Sequence, residues 1–262
     1  MEDQKSSRLD SSAAPTILAV DTSSRRLGLA LTSGCRQLAV LNLETDLPHS
    51  RQLFASLATL LKEADAELSA LAALAVTTGP GSFTGLRVGL AAAKGLAHSL
   101  RRPLYGVSTF DAAALAAGAE GLIAVLLNAS RGDLFCAVRQ VSAEGELMKV
   151  GRDRVAPAEI VLTELSEELR GRKATILGEA AITYHAELCR RADIGGTEVL
   201  VAAHPDAEFR GWQLLDRIPP LAPAVAARAL RLLRANAAPE AMAYYLRPAD
   251  AELKVLEPPA RS

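Results

Sequence analysis

Short apolar runs separated by polar turns open the chain, and they predict strands. From residue 50 the spacing changes, because leucine, phenylalanine and alanine then recur every three or four residues, as on one face of a helix. The predicted elements of this half are strands at 16–21, 27–32 and 37–43, a helix at 50–68, a strand at 74–78, a helix at 85–100 and a strand at 104–107. Alternating strands and helices of this kind predict an α/β domain.

The second half repeats this plan. Its predicted elements are strands at 122–128, 134–141 and 146–150, a helix at 157–170, strands at 174–178 and 198–203 with a helix between them, a last helix at 222–235, and Tyr245-Leu246-Arg247 closing the sheet. Asp21 and Asn128 each precede, by six residues, the leucine that opens a new strand. The recurrence favours an internal duplication over chance. The sequence therefore predicts a two-lobed actin-like (ASKHA) fold, in which each lobe is a mixed sheet with flanking helices.

Domain bounds follow from this plan. Residues 16–107 together with 222–250 are predicted to form the first lobe, and 108–221 the second. The polar ends, 1–15 and 251–262, are predicted to be disordered tails. The N-terminal segment lacks the apolar stretch of a secretory signal, and no apolar run reaches the length of a membrane span, so we expect a cytoplasmic protein without a membrane partner.

Composition narrows the function classes further. The formal net charge is −1 and aromatic residues make up 4% of the chain, which argues against a dedicated nucleic-acid-binding protein. The three cysteines, Cys35, Cys136 and Cys189, are far apart, which excludes a zinc ribbon or a disulfide framework. The histidines show no metal-ligand spacing, and no GxSxG or HExxH motif is present. We therefore expect no catalytic residue, no metal and no cofactor.

One segment suits an anion by its physics. GPGSFTGLRVG at 79–89 leads from a strand into a helix, whose N-terminal N–H groups attract negative charge. No Lys-Ser/Thr follows, so it is not a Walker A loop, and loop physics alone favours a tight turn without a ligand. Weak candidates for a phosphate contact are Asp21, Thr22, Gly81, Ser82 and Thr84. Thr22 stands where sugar kinases of the actin-like superfamily carry a glycine, which counts against a kinase.

Taken as a whole, however, the sequence of this segment is characteristic enough to compare with a known family. Together with ILAVDTSS at 17–24, His49-Ser50, PLYGVST at 103–109 and the closing YLR at 245–247, it resembles the TsaB (YeaZ) family. The resemblance runs almost continuously from 16 to about 116. It is weaker in the second half, where NASRGDLF starts with Asn128 in place of the family's aspartate and Asp133 supplies an acid.

The resemblance implies a non-catalytic partner and dimerisation subunit in the synthesis of N6-threonylcarbamoyladenosine (t6A) at position 37 of tRNA. It implies a TsaD-type catalytic subunit and a TsaE-type ATPase as partners, a homodimer when the chain is alone, and tRNA contact only through the complex. TsaD-type subunits carry two metal-binding histidines four residues apart, and the matching positions here are Thr109 and Ala113. Two alternatives stay open: an ASKHA-type small-molecule kinase, and a binding module unrelated to tRNA.

A partner surface is also predicted. Glycine and alanine recur every four residues along the 85–100 helix, which is apolar nearly all round and needs cover on more than one side. Either a second subunit or the lobe's own sheet and the 50–68 helix could provide that cover, and we favour the subunit. The predicted interface residues are Ala55, Ala58, Gly85, Leu86, Gly89, Leu90, Ala93 and Ala97.

Overall fold

A computed structural model describes residues 14–44, 47–206 and 208–246 of the chain. Within this part the chain forms a five-stranded and a six-stranded sheet. The strands of the first sheet are β1 Thr16–Asp21, β2 Arg26–Ser33, β3 Arg36–Glu44, β4 Leu71–Gly79 and β5 Leu104–Ser108. Those of the second are β6 Gly121–Asn128, β7 Asp133–Val141, β8 Leu147–Pro157, β9 Ala174–Leu177, β10 Val199–Ala202 and β11 Trp212–Leu215.

Both sheets follow one plan. The first has the order β3-β2-β1-β4-β5, with an antiparallel meander of β1 to β3 and with β4 and β5 parallel to β1. The second has the order β8-β7-β6-β9-β11-β10, again a meander followed by parallel strands. The extra strand β11 was not predicted from the sequence. Two mixed sheets with flanking helices confirm the predicted fold class.

Seven α-helices flank the sheets in the described residues. They are α1 His49–Glu63, α2 Phe83–Leu100, α3 Thr109–Ala116, α4 Ala158–Glu168, α5 Glu179–Thr183, α6 His185–Ile194 and α7 Ala222–Arg234. Helices α1 and α2 cover one face of the first sheet, and α7 covers the other. Helix α3 lies between the sheets, so that one apolar core runs from β1 through α3 and α7 to β6 and β7.

The first helix differs from its prediction at both ends. It begins at His49, one residue before the predicted start, with Pro48 at the N-cap and no side-chain cap. It ends at Glu63 rather than near 68, because Asp65 adopts a left-handed φ of 49° and the chain turns there.

The C-terminal segment lies along the first sheet without forming a strand, contrary to the prediction for 245–247. Its contacts are single backbone bonds: Gly106 N–H donates to Glu240 O (2.7 Å), and Tyr244 N–H donates to Thr78 O (2.8 Å). Arg247 lies outside the described residues, as do the predicted tails apart from residues 14 and 15. The predicted lobe bounds stay predictions.

Candidate functional site

A cleft of about 510 Å³ opens between the two lobes. It lies where β1, β6 and β9 end, so that residues of both meanders meet there. The lining includes Asp21, Ser23, Arg26, Gly81, Ser82, Thr109, Asn128, Glu179 and Leu221. In position and size it is a candidate site for a small molecule.

Asp21 is the most buried charge in this cleft, with 4% of its surface exposed. Its Oδ1 accepts hydrogen bonds from Ser23 N (3.0 Å), Ser23 Oγ (2.7 Å) and Thr77 Oγ1 (2.9 Å). Burial raises the pKa of Asp21, because desolvation outweighs these three bonds. The carboxyl therefore holds the turn between β1 and β2 in shape.

Glu179 faces the same cleft from the second lobe. It begins α5 directly after Gly178, whose φ of 117° allows the sharp turn out of β9. Burial raises the pKa of Glu179; the charge of Arg26 opposes that rise, and the charge of Asp21 adds to it. Two carboxyls that are hard to ionise lie where a polyphosphate would need positive charge.

The space beside the glycine-rich loop is occupied by the chain's own β1–β2 turn. Ser82 N–H, at the N-cap of α2, donates to Ser23 O (2.7 Å), and Ser82 Oγ accepts from Gly85 N (3.2 Å), so these two N–H groups are turned to acceptors within the chain. A Cβ added to Gly81 would lie 2.2 Å from Ser23 O, and one on Gly85 2.2 Å from Thr22 O. These glycines let the β1–β2 turn approach the start of α2, and the place expected for an anion holds backbone carbonyls.

The structure brings together three of the five candidate phosphate contacts. Asp21, Gly81 and Ser82 line the cleft. The Thr22 side chain instead packs against Gly89 of α2 and is fully buried, and its Oγ1 has no hydrogen-bond partner among the described residues. Thr84 is exposed in a separate groove between the first turns of α1 and α2. The five candidates therefore do not all face one cleft, and their role as phosphate contacts stays a prediction.

The predicted partner surface on α2 also needs correction. Six of its residues are buried in the chain's own first lobe, because they form the inner face of α2: Gly85, Leu86, Gly89, Leu90, Ala93 and Ala97. The alternative weighed for this helix, cover by the lobe's own sheet and α1, is what the structure shows. Ala55 and Ala58 are exposed on α1, so their part of the predicted surface is accessible.

Sequence reasoning missed a buried ion cluster. Arg139, in the middle of β7 and 3% exposed, donates from Nε to Asp111 Oδ1 (2.7 Å) and from Nη1 to Asp153 Oδ1 (2.8 Å). Burial opposes the charge on Asp153, but its bonds to Arg139 hold its pKa below the usual range. An arginine inside the apolar run LFCAVRQV was the available signal, since such a charge must be paired when the strand is buried.

Comparison with known proteins gives the family. Residues 44–185 match the family model described as TsaD, tRNA N6-adenosine threonylcarbamoyltransferase. The tRNA threonylcarbamoyladenosine biosynthesis protein TsaB of Bacillus subtilis is 32% identical over 163 residues, which cover 62% of this chain and 69% of that protein. TsaB of Escherichia coli is 30% identical over 167 residues, 61% of this chain and 70% of that protein. The chain belongs to the TsaB family.

A solved structure of a family member agrees in fold. YeaZ from Pseudomonas aeruginosa superimposes with a TM-score of 0.67 at 25% identity, covering 88% of this chain and all of that one. As in the sequence, the TsaB-type chain has Thr109 and Ala113 on α3, both 2% exposed, and the described residues hold no cluster of three or more metal-ligating side chains. No described helix has the length and apolarity to cross a membrane.

The buried carboxyl of Asp21 leads to a first testable prediction. Its raised pKa means that the folded chain binds this proton more tightly than the unfolded chain. The stability it contributes is therefore full below the unfolded pKa and is lost as pH rises through the folded pKa. Asn would keep the accepting Oδ1, so Asp21→Asn should stabilise the chain at pH 7; a gain of about 1 kcal/mol raises Tm by about 2–4 °C.

Thermal melts of both proteins between pH 4 and pH 8 measure this effect. The advantage of Asp21→Asn should shrink as the pH falls towards the ordinary aspartate range, about 3.9. A variant whose loss of stability grows as the pH rises would show instead that the negative charge itself supports the fold.

Proposed function

We propose that this chain is a non-catalytic partner subunit in the synthesis of t6A at position 37 of tRNA. In this role it supports a TsaD-type subunit, which transfers the threonylcarbamoyl group, and works with a TsaE-type ATPase. Membership of the TsaB family supports the proposal, since the relatives from B. subtilis and E. coli are named as t6A biosynthesis proteins.

The filled glycine loop carries the non-catalytic part of the proposal. A nucleotide-using member of this fold needs free N–H groups beside the cleft, whereas here Ser82 N–H is bonded to Ser23 O and Gly81 lies against the same carbonyl. The acids Asp21 and Glu179 line the same cleft and supply no positive charge to a phosphate. Thr109 and Ala113 offer no imidazole where the TsaD-type resemblance expects metal ligands.

The outer faces of α1 and α2 are the proposed contact with the TsaD-type subunit. Their first turns lie side by side, and Leu47 and Phe54 are 52% and 58% exposed beside them. We use the name α1/α2 surface for a set of exposed residues on the outer faces of these helices and just before α1. Its members are Leu47, Phe54, Ala55, Ala58, Phe83, Arg87, Ala91, Lys94 and His98. A second copy of the chain would use the same surface when no partner is present, since two-fold pairing is the commonest oligomer.

Aromatic contacts extend this surface at one end. The Arg87 guanidinium lies 3.8 Å above the Phe83 ring, and the Tyr245 ring is centred 5.5 Å from that of Phe83. Phe83 and Tyr245 nevertheless remain 37% and 44% exposed. Aromatic residues with arginine are enriched at the centres of protein interfaces, which favours a protein partner here.

Co-purification tests the proposal. The tagged chain, isolated from its own host, should bring down a TsaD-type protein, and its depletion should reduce t6A in tRNA, measured by mass spectrometry of nucleosides. Folded chain that captures no TsaD-type protein, with t6A unchanged by its depletion, would contradict the proposal. ATP-dependent phosphorylation of a sugar by the pure chain would instead support the kinase alternative.

A further inference from the structure

A second cavity, of about 400 Å³ and open to solvent, has none of the residues that line the interlobe cleft and is bordered by β7, β8, the start of α3, α7 and the C-terminal segment. Its lining combines three basic side chains with two acidic ones. It is lined by Ser108, Asp111, Arg139, Leu147, Lys149, Asp153, Arg228 and Tyr244. None of these residues lines the interlobe cleft.

Arg139 directs four of its five N–H groups to acceptors within the protein. Its Nε bonds Asp111, and its Nη1 and Nη2 bond the two oxygens of Asp153 at 2.8 and 3.2 Å. Nη1 also donates to Val138 O (3.2 Å). Since its donors are turned towards these acceptors, Arg139 fixes the cavity wall and is not itself a free anion contact.

Lys149 adds a second cation directly beside the first. It stands opposite Arg139 in the β7–β8 ladder, and like charges at such positions repel unless acids separate them. Asp153 does this: its Oδ2 receives Lys149 Nζ at 3.2 Å and the Tyr244 hydroxyl at 3.0 Å. Lys149, 49% exposed, still has N–H groups to offer.

Arg228 gives the lining of the cavity a net positive charge. Arg139, Lys149 and Arg228 carry three positive charges, and Asp111 and Asp153 carry two negative ones. Within residues 14–44, 47–206 and 208–246, the half-buried Arg228 forms no hydrogen bond or ion pair. Arg228 lines the cavity, whereas Arg231, one turn further along α7, pairs with Glu146.

We propose that this cavity binds a small molecule through an oxyanion, a phosphate or carboxylate group, held by Arg228 and Lys149. The Ser108 hydroxyl accepts from Phe110 N (3.2 Å), which leaves its proton to donate to the same group. A guanidinium fork matches two oxygens of either anion.

The size of the cavity sets the ligand class. Its volume of about 400 Å³ exceeds what one phosphate ion needs, and it falls within the range of small-molecule pockets, about 300–1,000 Å³. The ligand is therefore a low-molecular-weight metabolite that carries the anion, and inorganic phosphate is its minimal probe. This inference does not depend on the proposed partner role.

Calorimetric titration of the full chain with inorganic phosphate and with malonate, at constant ionic strength, tests the site. The wild type should bind at least one of them saturably. Arg228→Met, which keeps an apolar stem but no charge, should bind at least about tenfold more weakly. Arg228→Lys should fall between the two, because it keeps the charge without the fork.

Arg234→Met is the matched control, since Arg234 is exposed further along α7 and does not line this cavity. Its binding should equal that of the wild type, and circular dichroism should show all variants folded. Absence of saturable binding to the wild type would overturn the proposal. So would an equal response of the wild type and Arg228→Met, because general exclusion of kosmotropic salts acts on both alike.

Discussion

Gly85→Ala should destabilise the chain while Gly95→Ala, on the same helix, stabilises it. A Cβ on Gly85 would lie 2.2 Å from the backbone oxygen of Thr22, and no side-chain rotation can relieve that overlap. We expect a cost of about 3 kcal/mol, the upper end of ordinary overpacking. Alanine recovers about 1 kcal/mol of helix propensity, which leaves a net loss of about 2 kcal/mol, or about 4–8 °C in Tm.

Gly95 is the internal control. A Cβ there would meet no other atom within 4 Å, so only the gain in helix propensity remains, and Tm should rise by about 2–4 °C. Thermal melts followed by circular dichroism compare the three proteins directly. If both substitutions moved Tm in the same direction, the close approach of the β1–β2 turn to α2 would not be what fixes glycine at position 85.

Ala58→Arg should weaken binding to the proposed TsaD-type partner without unfolding the chain. Ala58 is exposed in the middle of α1, so a longer side chain meets solvent in the isolated subunit. Because Ala58 is part of the α1/α2 surface, the longer side chain would hold an approaching partner away. We expect affinity to fall at least about 30-fold, the equivalent of about 2 kcal/mol.

Titration of the purified TsaD-type subunit by calorimetry measures this loss, and thermal melts check folding. Ala227→Arg is the matched control, because Ala227 is also an exposed helical alanine but lies on α7. A folded Ala58→Arg chain that binds as tightly as the wild type would move the interface off α1. Substitution of the buried Gly89 would not be a clean test, since a Cβ there would lie 2.1 Å from Thr22 Oγ1.

Local sequence patterns predicted where the strands and helices lie better than they predicted what packs against each face. The apolar runs and the change of period after residue 50 were enough for the meander of β1 to β3 and for α1, and the repeated order predicted the second lobe. The small-residue stripe of α2 was harder, because glycine and alanine permit close approach without saying what approaches. The approaching group is the β1–β2 turn, which is distant in sequence from Gly85 and Gly89.

The sequence did not show which candidate site residues lie together, for a related reason. The candidates Thr22 and Thr84 stand close to Asp21 and Ser82 in sequence, yet Thr22 packs inwards against Gly89 and Thr84 faces a different groove. Glu179 and Arg228 come from elements far along the chain, and only the packing of two lobes brings each of them to a cavity. β11 was missed because four residues, WQLL, are too short for a period to be recognised.

Because α7 packs against the first sheet, one face of that sheet stays uncovered during synthesis until α7 has been made. Ile17, Ala19 and Ala75 bury one face of that sheet against a helix that the ribosome makes more than a hundred residues after β5 ends. At ordinary rates of translation the sheet waits on the order of ten seconds for its cover. The nascent first lobe therefore exposes an apolar surface that chaperones can recognise, and a chain truncated before residue 222 would keep that surface bare.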